Sequence, residues 1–210
     1  MPQLNQTAFM LITIVIFTML PAHAYSASKT ALVLGDSLSA EYGIVRGSGW
    51  VALLQARLQR DQIAFNIVNA SISGETTSGG RTRFPALLEK HRPALLIIEL
   101  GANDALRGLA LNATEQNLRE MISAAKKYNT KVVLLGMQIP PNYGPDYTQK
   151  FSRLYASLAK QTQSPLVPFF LEKVVIRPEL MQADRLHPTA EAQVLMLDSV
   201  WPTLLPLFGK

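Results

Sequence analysis

Short apolar runs alternate with amphipathic segments along most of the chain. The apolar runs predict strands over 29–35, 63–70, 94–100, 131–137 and 166–170. The segments between them predict helices over 50–60, 78–91, 114–128, 147–161 and 189–205, the last with a bend or an end at Pro202. In the third helix, Leu118, Met121, Ile122 and Ala125 fall on one face, which we expect to be buried.

The strands are nearly continuous apolar runs, which is typical of strands that are buried on both faces of a parallel sheet. Their alternation with helices indicates right-handed βαβ units. We therefore predict an α/β protein, a three-layer α/β/α sandwich with a five-stranded parallel sheet. In such sheets, ligands bind at the carboxyl ends of the strands.

The N-terminal segment differs from the rest of the 210-residue chain. The apolar run over 8–20 is shorter than the roughly 20 residues that a spanning helix needs. Pro21 and the small-x-small sequence Ala22-His23-Ala24 follow it. This pattern predicts a signal peptide over 1–24, a single domain over 25–210, and a periplasmic or secreted protein. An uncleaved membrane anchor is the alternative, because no Lys or Arg precedes the run.

Composition excludes several kinds of chemistry. The chain contains no cysteine, so disulfides, thiolate nucleophiles and cysteine-based zinc sites are excluded. Its net charge is +5, but the basic residues are scattered, which argues against nucleic-acid binding. Phosphate-cradling glycine patterns are absent, and we expect no cofactor and no metal. Of three histidines, only His91 and His187 lie outside the predicted signal peptide.

Polar clusters over 35–39, 71–76 and 101–104 follow predicted strands, and a fourth over 184–188 precedes the last helix. Within them, Ser37 is a candidate nucleophile, His187 its general base, and Asp184 the group that orients the imidazole. Attack on an acyl carbon also requires donors to the oxyanion. The candidates are the backbone N–H groups of Ser37 and Gly74 and the side-chain amide of Asn103.

These clusters resemble the blocks of the SGNH hydrolases, also called the GDSL family. GDSLSA (35–40), NASISGETT (69–77), LGANDALRG (100–108) and DRLHP (184–188) match in identity, order and spacing. The likeness is closest to the bacterial periplasmic group of thioesterase I, lysophospholipase L1 and arylesterase. It implies a flavodoxin-like sheet, a triad of Ser37, Asp184 and His187, and an oxyanion hole of Ser37, Gly74 and Asn103.

Several residues near these blocks have simpler interpretations. Glu41 and Arg185 stand where relatives commonly have glycine. If either glycine is needed at a positive φ, we expect the local loop to differ here, and an ion pair between Glu41 and Arg185 is conceivable. Ser37 taken alone could be a helix N-cap, and Asp104 is expected to be one. Asp36 is interpreted as structural, bonding loop amides. We expect His91 and the arginines at 81, 83 and 107 to be solvated. The resemblance places substrate-lining loops near 106–111 and 138–143.

We therefore predict a serine esterase or thioesterase that hydrolyses small acyl esters, acyl thioesters or lysophospholipids through an acyl-enzyme. Two alternatives stay open, a carbohydrate O-deacetylase of the same fold and a non-catalytic binding module. The resemblance implies a monomer and allows transient contact with lipids.

Overall fold

Five parallel strands form one sheet in the computed structural model, which describes residues 28–209. The predicted signal peptide lies outside the described residues. The strands are β1 (Lys29–Gly35), β2 (Phe65–Asn69), β3 (Leu95–Glu99), β4 (Lys131–Leu135) and β5 (Leu166–Val167). Their order is β2-β1-β3-β4-β5, and every neighbouring pair is parallel. The predicted flavodoxin-like sheet is confirmed.

Helices cover both faces of the sheet. They are α1 (Trp50–Arg60), α2 (Thr77–His91), α3 (Ala102–Leu106), α4 (Leu111–Lys127), α5 (Pro145–Thr162), α6 (Glu172–Val175) and α7 (Gln193–Leu204). Helices α1 and α7 contact each other, as do α2 with α4 and α4 with α5, which gives the three layers of the sandwich. Across residues 28–209, no helix combines the length and apolar character that a membrane span requires.

The core lies between the sheet and these two helical layers. The central strands β1 and β3 are buried over 31–34 and 95–98, as their apolar sequences predict. The expected face of α4 is also buried, from Leu118 to Ala125. This core holds the ends of β1 and β3 rigidly side by side.

The largest differences from prediction concern short elements and element ends. Strand β5 has only two residues, and α7 begins at Gln193. Pro202 lies inside α7 and does not end it, because the helix continues to Leu204. Helices α3 and α6 were not predicted, since five and four residues are too few to show a helical period.

Candidate active site

The polar clusters after β1 and β3 lie where the strand order reverses, which is the point where open α/β sheets bind ligands. A cavity of about 470 Å³ opens there. Ser37, Asn103 and His187 all line it. Residues 66 or more positions apart in sequence therefore meet at one edge of the sheet because parallel strands end together.

Ser37, His187 and Asp184 form a continuous chain of hydrogen bonds. The His187 Nδ1 lies 2.6 Å from Asp184 Oδ2, and Nε2 lies 2.9 Å from Ser37 Oγ. An ionised carboxylate only accepts hydrogen bonds, so Nδ1 must carry the proton. In the neutral imidazole, Nε2 then accepts from the Ser37 hydroxyl, which is the tautomer that a general base needs.

The loop before α7 holds Asp184 and His187 in place. Asp184 Oδ1 accepts from the backbone amides of Leu186 (2.9 Å) and His187 (3.0 Å). These bonds, with that from the imidazole, lower the pKa of Asp184 from 3.8 to about 2. The ends of the loop are joined by an antiparallel bridge between Met181 and Pro188. The ring of Tyr42 packs on the imidazole, with centroids 4.4 Å apart.

Asp36 links the Ser37 loop to Asn103. Its Oδ1 accepts from the Leu38 amide at 3.1 Å, which confirms its structural interpretation. Its Oδ2 accepts from Asn103 Nδ2 at 3.0 Å, a contact between distant blocks that the sequence did not indicate. A primary amide has two N–H donors, so Asn103 keeps one for another acceptor. Burial raises the pKa of Asp36 to about 6.

Gly74 is held from outside the cavity. It has a φ of 76°, a left-handed conformation that favours glycine. Its carbonyl accepts from the Arg107 guanidinium at 2.8 Å. Arg107 is exposed, as expected, and it also holds this loop. Gly74 itself is not among the cavity-lining residues, although Ser37 and Asn103 are. The role of its N–H in an oxyanion hole stays a prediction.

Two other arginines also have partners. Arg83 forms a salt bridge with Glu75, next to Gly74, and this pair is largely buried. Arg81 pairs with Glu120 on the surface at 3.1 Å. Arg81 is therefore exposed, as expected, whereas the expectation of a solvated Arg83 is wrong. His91 is the last residue of α2, at the end of the helix away from the Gly74 loop.

Glu41 and Arg185 do not form the ion pair that the sequence suggested. Both adopt left-handed backbone conformations, with φ of 61° and 58°. The loops thus keep the conformation that a glycine would favour. The Glu41 carboxylate instead accepts from the backbone amides of Gly47 and Gly49, at 2.9 and 2.8 Å.

The helix-cap interpretations of Ser37 and Asp104 also differ from the structure. Ser37 is followed by turns, and the next helix starts only at Trp50. Asp104 lies inside α3 and accepts from the amide of Thr77, the first residue of α2, at 2.8 Å. Asp104 therefore caps a helix from a different part of the chain, and Ser37 caps none.

The wall of the cavity is mainly apolar. The expected loops contribute Leu106 and residues 138–141. Phe169, Leu171 and Val175, on and just before α6, complete the wall and were not foreseen, because their segment showed no site motif. The other side chains of the wall come from the loops after β1, β3 and β4 and from the loop that carries His187: Leu38, Ala102, Met137, Met181, Arg185 and Leu186.

In this parallel α/β sandwich, a serine, a histidine and an aspartate are hydrogen-bonded in series at the strand ends. This arrangement is typical of serine hydrolases. The chain belongs to the GDSL-like Lipase/Acylhydrolase family, whose model matches residues 33–195. The family expected from the four sequence blocks is thereby confirmed.

Individual relatives extend over nearly all of the described chain. Esterase TesA of Pseudomonas aeruginosa is 52% identical over 182 residues, covering 87% of this chain and 90% of that protein. Thioesterase 1/protease 1/lysophospholipase L1 of Escherichia coli K12 is 42% identical over 192 residues, covering 91% of each. The crystal structure of TesA superposes with a TM-score of 0.83 at 52% identity, covering 85% of this chain and 99% of that one.

Proposed function

We propose that this protein hydrolyses small acyl esters, acyl thioesters or lysophospholipids through an acyl-enzyme on Ser37. The observation that carries the proposal is the contact between Ser37 Oγ and His187 Nε2 at 2.9 Å, on the wall of an apolar cavity. A mainly apolar wall suits an acyl chain, and the polar groups beside it suit the reacting carbonyl. The names of the esterase and thioesterase relatives support the same chemistry.

The reaction has two steps. Ser37 Oγ attacks the acyl carbon while its proton passes to His187 Nε2, and the leaving alcohol or thiol takes that proton as the bond to the acyl carbon breaks. Water then attacks the acyl-enzyme, gives its proton to Nε2, and releases the acid with the proton returned to Ser37. In both steps, Asp184 stabilises the imidazolium through Nδ1.

The oxyanion of each tetrahedral intermediate needs preorganised donors. The backbone N–H groups of Ser37 and Gly74 donate to no acceptor within residues 28–209. Asn103 keeps one N–H beyond the one that it gives to Asp36. These three donors support the assignment of the oxyanion hole to Ser37, Gly74 and Asn103.

Replacement of Ser37 tests the proposal directly. We expect Ser37→Ala to lower kcat on a p-nitrophenyl ester by at least about 10³-fold and to abolish labelling by a fluorophosphonate. Ser48→Ala is the matched control, because its hydroxyl donates only to the Val45 carbonyl and does not line the cavity. Near-full activity in Ser37→Ala, or a wild type that resists the label, would overturn the proposal.

A profile of kcat/KM over aryl esters, acyl-CoA thioesters, lysophospholipids and acetylated sugars separates the alternatives. Turnover of aryl esters, acyl-CoA thioesters or lysophospholipids supports the proposed substrate class. Release of acetate from sugars, with no activity on longer chains, would favour a carbohydrate O-deacetylase. No turnover with any substrate would favour a binding module.

We also propose that the protein is exported, as a monomer that contacts lipids only transiently. The apolar run over 8–20 and the Ala22-His23-Ala24 sequence support cleavage after Ala24. N-terminal sequencing of the protein from a periplasmic fraction should begin at Tyr25. A start at Met1 in a membrane fraction would instead indicate an anchor, and light scattering gives the oligomeric state.

A further inference from the structure

Glu99 is a buried carboxyl group behind the Ser37 loop. It is the last residue of β3, and none of its surface is exposed. Its Oε2 accepts from the Asp36 backbone amide at 3.2 Å and from the Ser39 hydroxyl at 2.7 Å. The Trp50 indole in turn donates to Ser39 Oγ at 3.2 Å. The mechanism above assigns Glu99 no role.

The carboxyl groups of Glu99 and Asp36 are both buried and adjoin each other, because the Asp36 backbone amide donates to Glu99 Oε2. Two ionised carboxylates repel and have no proton to share, so this contact requires that one of them is protonated. No Lys or Arg forms a salt bridge with either group in the described part of the chain. Glu99 Oε1 is buried and accepts from no donor.

The environment indicates which carboxyl keeps the proton. Burial and the charge of Asp36 raise the pKa of Glu99 well above its ordinary value. Asp36 accepts from Leu38 and Asn103, and it faces His187, so its charged form is the better stabilised of the two. Tyr155 is another titratable group close to the pair.

We propose that Glu99 is a positioning residue: as a neutral carboxylic acid it donates a hydrogen bond to the Asp36 carboxylate, which fixes the Asn103 amide for oxyanion stabilisation. The series Glu99, Asp36, Asn103 runs from the buried end of β3 to the cavity. With the Glu99 proton in place, Asp36 can only accept from Asn103, so the amide orientation is determined. The inference rests on the proposed role of Asn103 at the oxyanion.

Two substitutions distinguish a neutral donor from a charged one. Gln at 99 keeps an acceptor for Asp36 N–H and Ser39 and a donor for the Asp36 carboxylate, so Glu99→Gln should keep kcat within about threefold of wild type. Leu at 99 keeps the volume but no donor, so Glu99→Leu should lower kcat by about 10- to 100-fold with little change in KM. Equal losses in both variants would overturn the proposal.

A double-mutant cycle tests whether Glu99 acts through Asn103. In an Asn103→Ala background, Glu99→Leu should cost less than about twofold further in kcat, because the donor that it positions is gone. Additive losses would show that Glu99 acts elsewhere. Thr130→Val controls for a general loss of stability, since its buried hydroxyl donates to the Pro93 carbonyl at the opposite edge of the sheet. It should lower Tm without changing kcat.

Infrared difference spectroscopy tests the proton without relying on activity. Wild-type protein at neutral pH should show the C=O band of a buried protonated carboxyl group, and Glu99→Gln should lack it. Thr130→Val should keep the band. A wild type without the band, or a Glu99→Gln variant that keeps it, would overturn the proposal.

A wild type without esterase turnover would reject the proposed function. A wild type with turnover that Glu99→Leu leaves unchanged would reject only the role of Glu99.

Discussion

At the residue scale, two aspartates of the site have opposite electrostatic environments. Asp184 accepts three hydrogen bonds in an open loop, and its pKa falls to about 2. Asp36 is buried, and its pKa rises to about 6. The fold therefore stabilises the charged form of Asp184. It destabilises the charged form of Asp36, which accepts the hydrogen bond from Asn103.

Replacement of Asp184 by Asn should disable the base. An amide donates from its nitrogen, so the variant no longer selects the tautomer with the proton on Nδ1. We expect kcat/KM on a p-nitrophenyl ester to fall by about 10³-fold. Asp146→Asn is the control, because its carboxylate is 94% exposed in α5. An Asp184→Asn enzyme within tenfold of wild type would contradict this role of Asp184.

Replacement of Asp36 by Asn should make stability less dependent on pH. Because the folded-state pKa of Asp36 lies above its ordinary value of 3.8, its contribution to stability is fully present below about pH 4 and is lost as pH rises through about 6. The stability of Asp36→Asn relative to wild type should therefore rise by about 2 kcal/mol between pH 4 and 7. Urea unfolding over this range measures it, and a constant difference would contradict the buried charge.

At the scale of elements, the loops after the strands carry the site, and two of them place non-glycine residues in left-handed conformations. Glu41 compensates for this conformation by binding two backbone amides of the following turn. The guanidinium of Arg185 forms no hydrogen bond or ion pair within residues 28–209, and this side chain lines the cavity. Side-chain hydrogen bonds thus compensate the backbone strain at Glu41, and none compensates the same strain at Arg185.

Glycine substitutions at these two positions should have opposite effects on stability. Arg185→Gly relieves about 1 kcal/mol of left-handed strain, partly offset by the greater freedom of glycine in the unfolded chain, and should stabilise by about 0.5 kcal/mol. Glu41→Gly relieves the same strain but loses its hydrogen bonds, and should destabilise by about 1 kcal/mol. The two variants are matched controls for each other in urea unfolding. Equal effects would contradict this difference.

At the scale of the whole molecule, the sheet order and the segment before α7 together form the cavity. The strand ends supply Ser37 and Asn103, and the segment of α6 supplies one apolar wall. Val175 lies on that wall and is 43% exposed, whereas its neighbour Ile176 is 73% exposed and does not line the cavity. Val175 therefore lies at the rim of the cavity, where a larger side chain should shorten the cavity without disturbing the core.

Bulk at Val175 should shorten the acyl chains that the enzyme accepts. We expect Val175→Trp to lower kcat/KM for long-chain p-nitrophenyl esters by about tenfold and to leave acetate and butyrate esters within about twofold. Ile176→Trp adds the same bulk outside the cavity and should leave the whole profile unchanged. Parallel changes in the two variants would mean that the acyl chain does not occupy this wall.

The sequence by itself determined the sheet, the long helices and the four blocks of the site. Apolar runs of strand length and a 3.6-residue period over ten or more residues are local signals, so β1 and α1 were predicted with their observed bounds. The resemblance of four short motifs to one family named Ser37, Asp184 and His187, and the structure joins Ser37 and Asp184 to His187 by hydrogen bonds.

Only the tertiary structure decided how these residues support one another. Three hydrogen bonds join residues that are 33 to 67 positions apart: from Asn103 to Asp36, from Arg107 to Gly74, and from the Asp36 amide to Glu99. Whether Glu41 and Arg185 form an ion pair likewise depends on the conformations of two loops that are far apart in the sequence. Such contacts leave no periodic trace in a sequence, because they arise when the packing of the helices on the sheet brings the strand ends together.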